Sequence, residues 1–310
     1  MSQNRLQHST NGLLRTLQIS SIRLFVFVEG PSDQFFISEL VNSIRIKRNM
    51  GRAEIILSRE ITGTGGGKRR LLQFFAHLRR KKQLSGDSFG KRFECIFFLD
   101  KDVDDIRRTR KRSHHLIYTE YYQMENHVFR ETDLIHAAAA AASLPKDDVL
   151  GVIGDPSAWL RKTAEAWRDW VVLCIISALG EISSENTYSV PSRINHDSYG
   201  SLNPQAVSDA LSLMETRSGM QPQAFNSLHD KALRLVNRHY KRGLHDKIFK
   251  GKWYLGFLAH ELKSSLGNKL ANQNGLEERL LSSALAILDF EGAWANQFQA
   301  PLEDAARRLT

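Results

Sequence analysis

Residues 22–33 read Ile22-Arg23-Leu24-Phe25-Val26-Phe27-Val28-Glu29-Gly30-Pro31-Ser32-Asp33, and this stretch decides the fold. Its β-branched and aromatic run up to Val28 predicts a buried strand. Glu29-Gly30-Pro31 is a turn that opens a helix, and Phe35, Phe36, Leu40 and Val41 recur at helical spacing to give that helix an apolar face. Downstream, residues 54–57 (EIIL) predict a second strand, followed by the glycine-rich turn 62–67 and a basic helix over 68–82. Residues 95–99 (CIFFL) predict a third buried strand that ends in Asp100-Lys101-Asp102, and residues 116–119 (LIYT) a fourth. Strands alternating with helices at this spacing predict βαβ units and a mainly parallel sheet flanked by helices, an α/β fold.

From residue 133 the pattern turns helical. The alanine run 136–142, the Trp-rich stretch 157–179, residues 204–240 and residues 253–288 are separated by Pro145, Pro156, Pro191, Pro204 and Pro222. The expected organisation is a leader (1–20), a sheet domain (21–132) and a helical region (133–310) packed on it. Trp159, Trp167, Trp170 and Trp253 read either as a docking surface, since aromatic residues are enriched in interface cores, or as packing between helices.

The chain has 310 residues, 42% of them hydrophobic and 25% charged, the composition of a folded protein. Two cysteines, Cys95 and Cys174, exclude a disulfide scaffold and a Cys-rich zinc site and predict a reducing compartment. The first ten residues lack the apolar core of a signal peptide, and the apolar run 170–179 is about half of the ~20 residues that span a bilayer. A cytoplasmic protein without membrane partners is expected. Net charge is +9, and residues 41–115 carry 20 Lys and Arg against 8 Asp and Glu, so the rest of the chain is slightly acidic. Such concentration predicts a polyanion partner, nucleic acid before membrane, unless the face is merely solvated.

Ligands of open parallel sheets bind at the carboxyl ends of the strands. Glu29 ends the first predicted strand, and Asp100 and Asp102 follow the third on the same side of an extended segment. Carboxylates gathered in one cleft repel unless a cation lies between them, and Mg²⁺ suits one or two carboxylates plus substrate phosphates. Asp33 reads instead as an acid in the first turn of its helix, where the dipole favours it. Lys68, Arg69 and Arg70 follow the glycine-rich turn, whose spacing fails the P-loop pattern but whose backbone amides suit phosphate. Arg107, Arg108, Arg110 and Lys111 form a second basic run, suited to nucleic-acid backbone contacts or to a solvated loop. Tyr118, Tyr121 and Tyr122 are candidates for base stacking or for packing.

Val26-Phe27-Val28-Glu29-Gly30-Pro31-Ser32-Asp33, with Phe98-Leu99-Asp100-Lys101-Asp102 downstream, resembles the TOPRIM signature of topoisomerases, DnaG-type primases and OLD-family nucleases. Residues 121–129 (YYQMENHVF), Gly65-Gly66-Gly67-Lys68 and residues 249–255 (FKGKWYL) narrow the resemblance to compact TOPRIM nucleases encoded beside ABC-type ATPases in bacterial anti-phage systems. The resemblance implies a TOPRIM domain over 21–132, with Glu29, Asp100 and Asp102 as ligands of Mg²⁺, for which Mn²⁺ could substitute. It implies Glu125 as a further functional acid, where the residues alone also allow an acid at the start of a helix. It also implies a toxic nuclease that cleaves RNA, tRNA above all, is restrained by an ABC-type ATPase and pairs as a homodimer when released. The alternatives are a DNA-cleaving OLD-like nuclease and a non-catalytic module that binds nucleic acid or the ATPase.

Overall fold

A computed structural model describes residues 8–48, 52–182 and 199–309; Pro191 and the first part of the expected leader lie outside the described residues. The chain runs through α1 (Thr10–Ile19), β1 (Leu24–Val28), α2 (Pro31–Arg48), β2 (Ala53–Leu57), α3 (Gly67–Arg80), β3 (Ser85–Ser88), β4 (Lys91–Leu99), α4 (Asp104–Arg107) and β5 (Leu116–Tyr118). Helices follow: α5 (Met124–Glu131), α6 (Leu134–Ala142), α7 (Lys146–Ile153), α8 (Pro156–Ala166), α9 (Arg168–Gly180), α10 (Pro204–Ser218), α11 (Pro222–Lys241), α12 (Gly251–Leu266), α13 (Leu276–Ile287) and α14 (Asn296–Arg307). Two compact units result. One holds the chain up to Asp100 with Lys111–Thr119 and Asp289–Thr310, and the other holds Lys101–Arg110 and Glu120–Leu288.

In the sheet unit, β1 lies between β2 and β4, parallel to both, with Leu24 opposite Ala53 and Glu94. Every residue of β1 is buried, as expected for a strand covered on both faces. Alternation along β4 directs its side chains to two separate layers. Phe97 stacks on Phe27 at 4.7 Å and meets Phe74 and Phe75 of α3, where Leu13 and Leu17 of α1 also pack. Phe98 faces the other way, 5.9 Å from Phe36 of α2 and 5.4 Å from Phe298 of α14. β5 extends the parallel set beside β4, with Phe97 opposite Leu116.

The sheet is mostly parallel, as expected, with one antiparallel pair between β3 and the first half of β4. Two expectations need correction. Residues 10–19 are not a leader: α1 buries Leu13 and Leu17 in the sheet unit's core. The boundary near residue 132 does not match the division into units, because α5 and the segment 101–110 belong with the helices while α14 completes a layer of the sheet unit.

The helical unit has its own core. α9 is apolar all round and its residues from Trp170 to Ala178 are buried, the pattern of a helix enclosed by others. Trp159, Trp167, Trp170 and Trp253 are all buried in this core, which overturns their reading as a docking surface. No described helix is long and apolar enough to cross a membrane.

Candidate active site

The sheet unit brings Glu29 and Asp100 together. β1 and β4 are parallel neighbours, so the residues that follow them lie at the same edge of the sheet. The Asp100 backbone N–H donates to a Glu29 carboxylate oxygen at 3.1 Å, and Asp100 is buried. Glu29 is itself held from behind, since the Ser58 hydroxyl donates to its carbonyl at 2.7 Å. A Cβ on Gly67 would lie 3.1 Å from that same carbonyl, tighter than an ordinary contact, so a side chain there would press the start of α3 away from Glu29. The positive dipole end of α3 thus starts beside the acid pair, an arrangement that favours a phosphate. Asp33 takes the role expected of it: its carboxylate accepts the Gly30 N–H at 2.9 Å and closes the first turn of α2.

Lys68 also has a role within the protein. Its ammonium donates to the Asp100 carbonyl at 2.6 Å and lies 5.9 Å from the Tyr118 ring, so it pins the end of β4 in addition to any phosphate contact. Arg69 is exposed and Arg70 half-buried.

Asp102 and Glu125 belong to the helical unit. Asp102 has φ 48°, a left-handed conformation that aspartate tolerates better than most residues, and its N–H donates to the Tyr122 carbonyl at 2.9 Å. Glu125 is 1% exposed, and neither carboxylate oxygen has a hydrogen-bond partner among the described residues. Its one ion pair is with Lys252 at 3.6 Å. Lys250 sits nearby: burial and Lys252 pull its pKa down, while Glu125 and Asp102 act in the opposite direction. Two acids and two lysines therefore share one electrostatic neighbourhood.

Asp246 is the node that holds this neighbourhood in place. Fully buried, it accepts from the Tyr254 hydroxyl at 2.7 Å, from the Asn126 amide at 3.2 Å and from Arg130 at 2.6 Å, while its carbonyl accepts the Tyr122 N–H at 2.8 Å. Gly251 completes the joint, because a Cβ there would lie 2.5 Å from the Asn126 nitrogen. The segments 121–129 and 249–255, distant in sequence, are one packed assembly. Asp246, Arg130 and Lys252 were not singled out by sequence reasoning; the only signal was the short late segment 249–255.

Tyr122 is buried and unavailable for stacking, and Tyr121 lies over His127 and Arg130. Arg107, Arg108, Arg110 and Lys111 are exposed. They do not form one free run: Arg107 donates to the Ala178 carbonyl at 2.6 Å, and Arg110 faces Asp105 at 3.5 Å.

Among the described residues no group of three or more His, Cys, Asp or Glu is arranged to hold a metal ion. The residues nonetheless fit a hard cation. Their donors are carboxylate oxygens, and Mg²⁺ keeps several waters and needs only one or two carboxylates from the protein. A buried carboxylate lacking hydrogen-bond donors, as in Glu125, is also suited to a cation. No protein-family model and no curated protein matches the chain.

Proposed function

We propose that this chain is a metal-dependent nuclease of the TOPRIM type, acting as the toxic effector of an anti-phage system. The observation that supports it most is the Glu29–Asp100 pair at the carboxyl ends of adjacent parallel strands, with the start of α3 beside it. Open α/β sheets bind their ligands at that edge. The segments 121–129 and 249–255, on which the resemblance to the AriB effector of the PARIS defence system rests, pack together around Asp246, as parts of one working assembly would.

By the resemblance, Glu29, Asp100 and Asp102 would be the ligands of Mg²⁺; within the sheet unit the pair that would hold it is Glu29 and Asp100. The ion supplies activation of water and stabilisation of charge on a phosphate. Glu29 serves as general base or metal-bound carboxylate, and no side-chain nucleophile is required. The amide end of α3 orients the phosphate, while Ser58 and Lys68 fix the two acids by their backbones. RNA, tRNA above all, is the proposed substrate, and an ABC-type ATPase the proposed restraint. Incubating the chain with total tRNA and with plasmid DNA, in Mg²⁺ and in EDTA, tests this: cleavage of tRNA in Mg²⁺ alone is expected, and cleavage of neither polymer would refute it.

A further inference from the structure

Five cationic side chains, three of them outside every motif read from the sequence, line one cavity of the helical unit. Its volume is about 600 Å³, within the range of small-molecule sites. Arg107 enters it from the end of α4 and Arg108 from the residue that caps it, Lys231 and Arg238 from α11, and Lys247 from the segment before α12. Two acids, Asp105 and Glu181, also line it. Asp105 is already occupied by Lys101 at 3.4 Å and Arg110 at 3.5 Å, and Lys247 faces Glu120 at 3.6 Å. Among the described residues Arg108, Lys231 and Arg238 have no ion-pair partner. Cations held around one concavity repel one another, and an anion entering it gains from all of them.

We infer that this cavity binds a nucleoside phosphate. The charge selects phosphate, and the remaining lining selects what the phosphate is attached to. Ile106, Leu179, Leu235 and Ile248 give the cavity apolar wall that inorganic phosphate would not use but a base or sugar would. Lys231, Leu235, Arg238 and His239 lie on one stripe of α11, so a single helix face presents charge, apolar surface and a ring nitrogen to the same ligand. The His239 Nδ1 engages the Leu235 carbonyl at 2.9 Å, which leaves Nε2 as an acceptor for a ribose hydroxyl or a base amine. Arg107 is anchored by the Ala178 carbonyl, so its guanidinium is positioned before any ligand arrives. The inference does not depend on the nuclease reading, because none of these residues is among the proposed metal ligands.

Titration calorimetry on the full chain at low salt, with ATP, AMP, adenosine and inorganic phosphate as probes, tests it. ATP and AMP are expected to bind, ATP more tightly, with adenosine and phosphate each weaker by at least tenfold. Lys231 and Arg238 are exposed, so the Lys231→Glu/Arg238→Glu double variant should fold and lose at least tenfold in ATP affinity, while Lys162→Glu, a like change elsewhere on the unit, keeps it. If the double variant lacks a cooperative melt, Lys231→Gln/Arg238→Gln replaces it, with the same loss expected. A short 5′-phosphorylated RNA tests the other source of the same chemistry. Competition of that RNA with AMP extends the inference to a nucleotide within a strand. Binding of the RNA without any binding of AMP or ATP, phosphate as tight as AMP, or wild-type affinity in the folded double variant would each overturn it.

Discussion

Glu125 is a carboxylate in an expensive place. A buried charge with one ion pair at 3.6 Å and no hydrogen bonds recovers little of its desolvation cost. Glu125→Gln should therefore leave stability within about 1 kcal/mol of wild type or raise it, while abolishing cleavage; a purely structural acid would do the reverse. Thermal melting with a cleavage assay checks both. His127 provides a pH signature. Burial first, then Arg130 and Lys101, holds its pKa down at about 3, so the folded chain resists a proton that the unfolded chain accepts below about 6.5. Stability from this source is intact above 6.5 and lost as pH falls from there toward 3. Between pH 7 and pH 5, His127→Gln should lose about 2 kcal/mol less than wild type, measured by denaturant unfolding. At this scale Glu29 and Asp100 were legible, because an acid directly after an apolar strand run announces its position. Lys252 was not, since its tie to Glu125 depends on how distant segments pack.

The elements were legible where burial wrote them in apolar runs. β1, β2, β4 and β5 were all anticipated, and Pro31 with Asp33 marked the start of α2. β3 was not, because Ser85-Gly86-Asp87-Ser88 has no apolar alternation; its pairing comes from the tight turn at Phe89 and Gly90, both with positive φ, which is hairpin geometry. α14 was not read as an element of its own but fell within the helical region 133–310, yet Phe298 packs on Phe98 and Phe36, a partnership between distant stretches of chain. α12 fits closely against α5. Gly251→Ala forces a Cβ against backbone rather than against a side chain that could move. It should cost about 1–3 kcal/mol, read as a lower melting temperature, and disturb Glu125 with it.

For the molecule as a whole, the division into units is the property the sequence conveyed least. The segment 101–110 and α5 leave the sheet unit although each follows one of its strands closely in sequence, because contiguity does not determine which core a segment joins. The basic run makes a quantitative claim. Replacing Arg107, Arg108, Arg110 and Lys111 by Gln should flatten the salt dependence of RNA binding by roughly 0.7–0.9 in log–log slope for each phosphate that the variant no longer neutralises. The change should be smaller than the full effect of all four side chains, since Arg110 already faces Asp105. An unchanged slope would remove this run from the interface. The central claim is that Glu29 works with a metal ion to cut a phosphodiester. Glu29→Gln keeps an oxygen to accept the Asp100 N–H and removes only the charge. The rate of tRNA cleavage in Mg²⁺ by this variant, against wild type, is the most direct test. The account predicts a loss on the order of 10²–10³-fold or more with the fold intact, as for other groups that stabilise transition-state charge. Cleavage by Glu29→Gln at the wild-type rate would contradict it.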